Sequence, residues 1–159
     1  MNSVANGKII KNTAFKNIYV SPNPGDAGGA IGSACAHISK NLKKNIEVKN
    51  YAYLGSSYNS KEIKEIFDNN SIISKYKFEY FSDKELSEKI SKKLTESKII
   101  GWFQGETEWG PRALGNRSII ADARNPKIKD IINSKIKRRE SFRPFAPSIL
   151  YEKTQEWFQ

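Results

Sequence analysis

A chain of 159 residues, 38% of them hydrophobic, has the length for one domain or a small pair and for a buried core. Its 27 basic residues against 17 acidic ones leave a net charge of +10, which favours acidic ligands such as nucleotides without singling out nucleic acid. A single cysteine excludes an intrachain disulfide and fits a reducing cytoplasm, no apolar run approaches the roughly 20 residues of a membrane span, and the polar start lacks a signal-peptide core.

In chain order, residues 2–11 are short and polar, with a turn offered by Asn6 and Gly7, and 17–20 is expected to be a strand ahead of Pro22 and Pro24. Small residues crowd 24–34 and lead into a helix that continues to Leu42. Such a helix start lets a ligand or a second backbone come close and turns free N–H groups toward phosphates, although tight helix packing uses the same residues. Within it, Cys35 reads as a buried structural thiol and His37 as a surface or half-buried residue. Residues 45–53 suit a linker or an entering strand, and Asn59 with Ser60 caps a short helix ending near Asn69. Residues 72–81 alternate Tyr76, Phe78 and Tyr80 with Lys75, Lys77 and Glu79, the period-two pattern of a strand with one wet face and also a pattern that stacks on single-stranded nucleic acid. Ser82 and Asp83 then cap a helix to Ser97 with Leu86, Ile90 and Leu94 on one stripe.

The unusual residues lie between Gly101 and Leu150. An apolar run over 99–103 predicts a buried strand that breaks at Gly105 into a loop holding Glu106, Glu108, Gly110, Pro111, Arg112, Gly115 and Arg117. A second strand is expected over 118–121. Ile128, Ile131, Ile132 and Ile136 then mark an amphipathic helix with a basic last turn, Lys135, Lys137, Arg138 and Arg139. Pro144 and Pro147 flank Phe145, so Phe142 and Phe145 are expected to anchor in the core and aim Arg143 inward. Guanidinium forks at Arg112, Arg117 and Arg139 suit bidentate recognition of phosphate or carboxylate, while a solvated basic face paired with Glu106, Glu108 or Glu140 accounts for the same residues.

GPRALGNRSI, then ADAR, KDIIN and RESFRPFAPS, resemble the C-terminal part of the NodU/CmcH family of O-carbamoyltransferases. YLGSSYNSKEI, SVANGKI and SPNPGDAGGAIGSA extend the resemblance upstream in family order. GETEWG followed by KIKRRESFRPFAPS is also similar to a diverged threonylcarbamoyl-AMP synthase pattern. The order of strands and helices from Ile72 onward predicts an α/β chain, with α+β the alternative; the resemblance implies residues 1–48 as the end of an actin-like ATPase-fold domain, then 49–159 as the front of a YrdC-like sheet domain with flanking helices, together a fragment of a longer protein.

The same resemblance implies ATP and carbamoyl phosphate as substrates, carbamoyl adenylate as intermediate and a hydroxyl acceptor of unknown identity. By matching, Arg112, Arg117 and Ser118 handle carbamate or phosphate oxygens, and Lys137, Arg139 and Arg143 the triphosphate. Asn2, Gly25 and Gly28 line the other nucleotide cleft, and Asp26 is a metal ligand, for magnesium or iron, beside two histidines of a His-x-x-x-His helix. His37 is the one histidine here, so that metal site is expected to be incomplete unless another chain supplies the missing half. Two other readings stay open: a nucleotide-binding remnant without turnover, and a basic module for single-stranded nucleic acid.

Overall fold

Asn2 starts the first helix: its side-chain oxygen accepts the Ala5 N–H at 3.0 Å, satisfying a donor that every helix start leaves open, and α1 runs over Ser3–Asn12. The computed structural model describes residues 2–46, 52–69 and 75–158. The turn expected at Asn6 and Gly7 is absorbed into this helix, where the cost of Gly7, about 1 kcal/mol, is offset by a cap of similar size. Residues 17–20 form no strand, because the sheet among the described residues consists of two strands much later in the chain. The small-residue stretch becomes α2, Asp26–Leu42, as expected, ending on Lys43 in the left-handed region at φ 50°. Cys35 is half-buried rather than buried; His37 is exposed and shares a 2.8 Å hydrogen bond with Asn41.

Local signals also set the next two helices. In α3, Ser60–Asn69, the Asn59 side chain accepts the Lys61 and Glu62 N–H groups at 2.9 and 3.0 Å while the Glu62 carboxylate accepts the Asn59 N–H at 2.7 Å. In α4, Asp83–Thr95, Ser82 and Glu85 form the same reciprocal box, and Leu86, Ile90 and Leu94 make its half-buried stripe. Ahead of it, residues 75–81 are not a strand, and Tyr76 and Tyr80 are exposed. The remainder of that expected strand, 72–74, and most of the expected linker, 47–51, lie outside the described residues.

β1, Ile100–Phe103, and β2, Arg117–Ile120, pair as a small antiparallel sheet, so the chain is α/β. Only one side of β1 is half-covered, not the fully buried strand its apolar run predicts. The isoleucine-rich helix begins as α5, Ile128–Ile131, and widens at once into a π-helical turn over Ile132–Lys137. Ile128 and Ile132 are buried, but the wider i to i+5 spacing rotates Ile136 out to 42% exposure, where a regular helix would keep it on the stripe. A 3-10 turn, Tyr151–Lys153, and α6, Thr154–Trp157, follow. Among the described residues no helix is long and apolar enough to cross a membrane.

The chain divides into two compact units that do not follow sequence order. One contains Met1–Lys75 and Phe103–Ser118; the other contains Tyr76–Trp102 and Ile119–Gln159.

Candidate functional site

In the first unit the loop between β1 and β2 folds around one buried carboxylate. Gly105, Gly110 and Gly115 all take positive φ (50°, 97° and 116°), which turns the loop N–H groups inward and obliges them to find an acceptor. Glu108, 6% exposed, supplies it: Oε1 accepts the N–H groups of Leu114 at 2.8 Å, Asn116 at 2.7 Å and Arg117 at 3.1 Å. Burial alone pushes this carboxyl up, but the backbone donors of Leu114, Arg117 and Asn116 together outweigh it and hold Glu108 below the usual carboxylate range. The loop is tied to residues 52–56 as well: Thr107 and Trp109 make backbone hydrogen bonds with Ala52, Gly55 and Ser56, and the Tyr53 hydroxyl donates to the Leu114 carbonyl at 2.8 Å.

Arg117 closes the other side. Nη1 donates to the carbonyls of Gln104 and Asn116, Nη2 to those of Ser56 and Gly105, and the guanidinium lies 3.5 Å from the centroid of the Phe103 ring. Four of its five N–H donors therefore go to backbone oxygens, and among the described residues the charge is met by dipoles and a π face with no carboxylate. Ser118 Oγ accepts the Gly115 N–H at 3.0 Å, and Arg112 is exposed. Asn2, Gly25, Asp26 and Gly28 belong to this unit as well. Gly28 has no room for a side chain, since a Cβ there would lie 2.0 Å from the Asn23 carbonyl oxygen. Asp26 is exposed in the first turn of α2, and among the described residues no three His, Cys, Asp or Glu side chains gather. The described residues do not fit a complete metal site.

The remaining candidates belong to the second unit. Lys137 is exposed at the end of the π turn, and Arg138 follows in the left-handed region at φ 49°. Arg139 donates Nε to the Asn133 side-chain oxygen at 2.8 Å and lies 4.8 Å over the Phe145 ring. Arg143 pairs with Glu140 at 3.1 Å, as the basic-face reading allowed, and its backbone carbonyl accepts from Asn133 Nδ2 at 2.9 Å. Phe142 and Phe145 are 76% and 38% exposed, so they are not core anchors; hydrogen bonds from Asn133 orient this segment instead. In the ADAR stretch, Arg124 spends its charge on Asp122, whose carboxyl those side-chain hydrogen bonds hold at about 2.

Sequence reasoning took Glu108 only as a loop residue or an ion-pair partner and Gly110 only as loop punctuation, and it passed over Asn133 and Asn23. A signal existed for Glu108 and Asn133: an acid set among glycines whose loop N–H groups need an acceptor, and a polar residue adjoining an isoleucine stripe.

The stretch 91–159 matches the family model for the carbamoyltransferase C-terminus, and 1–35 matches that for the carbamoyltransferase N-terminus. The chain belongs to the carbamoyltransferase family. An uncharacterised protein of Synechocystis sp. is 43% identical over all of this chain and 26% of its own length. Nodulation protein NolNO of Sinorhizobium fredii is 37% identical over 99% of this chain and 23% of itself, and nodulation protein U of Rhizobium fredii is 33% identical over 96% and 24%. The chain thus spans about a quarter of the length of the curated relatives it matches.

Proposed function

We propose that the chain is part of a carbamoyltransferase that uses ATP and carbamoyl phosphate to form carbamoyl adenylate and passes the carbamoyl group to a hydroxyl acceptor. Its residues 49–159 are read as part of a YrdC-like domain and 1–48 as part of an actin-like one. Family membership supports the class of reaction. The observation that carries the adenylate-forming half is Arg139, held by a neutral amide and an aromatic ring so that, among the described residues, no carboxylate cancels its positive charge.

The chemistry asks for charge neutralisation more than for a nucleophile. Water releases phosphate from carbamoyl phosphate, a carbamate oxygen attacks the α-phosphorus of ATP, and pyrophosphate leaves; the acceptor hydroxyl then attacks the carbamoyl carbon and AMP leaves. Lys137, Arg139 and Arg143 are assigned to the triphosphate and leaving pyrophosphate, a positioning and electrostatic role. Arg112 is assigned to carbamate or phosphate oxygens, with Ser118 as a hydrogen-bond donor. Arg117 serves there through the loop it ties together as well as through its charge. Gly25, Gly28 and Asn2 are assigned to the second nucleotide cleft and Asp26 to its metal.

The test is a coupled assay on the purified chain with ATP and carbamoyl phosphate, read as pyrophosphate release and, separately, as carbamoylated product. Release dependent on carbamoyl phosphate supports the adenylate-forming reading. Binding of ATP with no release supports a nucleotide-binding protein that does not turn over, and absence of both removes the proposal.

A further inference from the structure

We propose that Asn133 is a positioning residue for oxyanion binding, setting the direction of the Arg139 guanidinium from one buried amide that is itself held by the Ser141 and Arg143 carbonyls. The proposal rests on the reading of Arg139 as a phosphate ligand. Asn133 is 0% exposed, and its side-chain hydrogen bonds run to the loop that follows the π turn. Oδ1 accepts Arg139 Nε at 2.8 Å; Nδ2 donates to the carbonyls of Arg143 at 2.9 Å and Ser141 at 3.3 Å. Its own carbonyl accepts the Arg139 N–H at 3.0 Å. One residue therefore grips Arg139 by backbone and side chain together.

The chemistry of the grip matters as much as its geometry. An aspartate at 133 would cancel the Arg139 charge and present acceptors to two carbonyls; the amide cancels nothing and satisfies both. Among the described residues Arg139 has no carboxylate within ion-pair distance, whereas Arg143 has Glu140 and Arg124 has Asp122. With Nε used and one Nη2 donor near the Pro144 carbonyl at 3.5 Å, the Nη1 donors have no partner among the described residues. A guanidinium fixed at Nε, with one face over Phe145, presents its far edge in a set direction, the geometry that two oxygens of a phosphate match. A π turn at this position, a device frequent at functional sites, agrees with the assignment.

Titration calorimetry of the full 159-residue chain with inorganic pyrophosphate tests it. Asn133→Leu and Arg139→Leu are each expected to weaken binding about tenfold or more, the scale of a charged hydrogen bond, and the double variant to bind no more weakly than Arg139→Leu alone. Losses that multiply in the double variant would show that Asn133 does not act through Arg139. Arg139→Lys keeps the charge and every Asn133 bond to Ser141 and Arg143 but has no Nε to be aimed, and is expected to lose nearly as much as Arg139→Leu. Full affinity in that variant overturns the positioning role even if Asn133→Leu fails to fold. A wild-type chain that binds no pyrophosphate removes the phosphate site and Asn133's role together, while binding with multiplying losses removes the latter alone.

Discussion

Asn23 packs its side-chain amide against the bare α-carbon of Gly110: a Cβ there would lie 2.3 Å from Nδ2 and 2.7 Å from Oδ1. Asn23 falls in the stretch that matches the carbamoyltransferase N-terminus, Gly110 in the stretch that matches the C-terminus. The two family segments interlock inside one compact unit through this contact. Gly110→Ala is therefore expected to lower stability by at least about 2 kcal/mol, combining backbone strain at φ 97° with the overlap. In a chain of this size that is a fall in Tm of about 4 °C or more. Asn23→Ala in the same chain relieves the overlap and not the strain, so the double variant recovers part of the loss. Gly28→Ala meets the Asn23 main-chain oxygen at 2.0 Å and gains nothing from Asn23→Ala. Thermal melts of these variants check the contact; a Gly110→Ala chain that melts with wild type would remove it.

Glu108 makes the loop pH-sensitive in a defined direction. Its folded pKa lies below the ordinary value of 4.5, so ionised Glu108 contributes stability that is fully present above that value and is lost as pH falls through the depressed one. Glu108→Gln keeps an acceptor but gives up the charge, and is expected to cost about 1–2 kcal/mol at neutral pH. The gap between variant and wild type then closes on acidification. Melting curves taken between about pH 3 and pH 7 decide it, and a gap that stays constant across that window would show that the carboxylate charge is not what closes the loop.

Arg117 links the loop to the proposed chemistry. Arg117→Ala is expected to lower stability, through four lost carbonyl contacts and the Phe103 stack, and to lower affinity for ATP or carbamoyl phosphate by at least about 1.5 kcal/mol. Arg117→Lys should rescue little, because an ammonium cannot fork to carbonyls on both sides. A folded Arg117→Ala chain with unchanged heats of binding for both ATP and carbamoyl phosphate would confine Arg117 to holding the loop.

What the sequence shows in advance is what neighbouring residues decide. Ser82 with Glu85, and Asn59 with Glu62, announce helix starts because cap and helix are within four residues of each other, and both helices stand where expected. The strand pair is legible for the same reason, its apolar runs being broken by glycines that take positive φ. Residues 17–20 and 75–81 carry strand composition, but a strand exists only by pairing, which composition does not specify. Ile136 departs from its stripe because a π turn changes the helical period, and the exposure of Phe142 and Phe145 follows from Asn133 holding the loop by polar bonds. Gly110 reads locally as loop punctuation; its contact with Asn23 is a tertiary fact that no local pattern contains.

Glu140 offers the reverse of a damaging substitution. Its carboxylate lies 3.1 Å from Arg143 Nε, with both side chains about half exposed, so the pair binds loosely and the anion competes with Glu140 for the same guanidinium. Exposed pairs of this kind are worth about 0.2–1 kcal/mol. Glu140→Gln removes the competitor and one negative charge from the loop, and is expected to raise affinity for pyrophosphate by up to about fivefold, the larger end of that range. The gain should shrink as salt is added, because the freed charge is screened. Stability should hardly move, since surface substitutions away from caps and buried groups stay within about 0.5 kcal/mol. Titration at low and high ionic strength measures both effects. A Glu140→Gln chain that binds pyrophosphate no better than wild type at low salt would take Arg143 out of the phosphate site and leave Arg139 and Lys137 to form it.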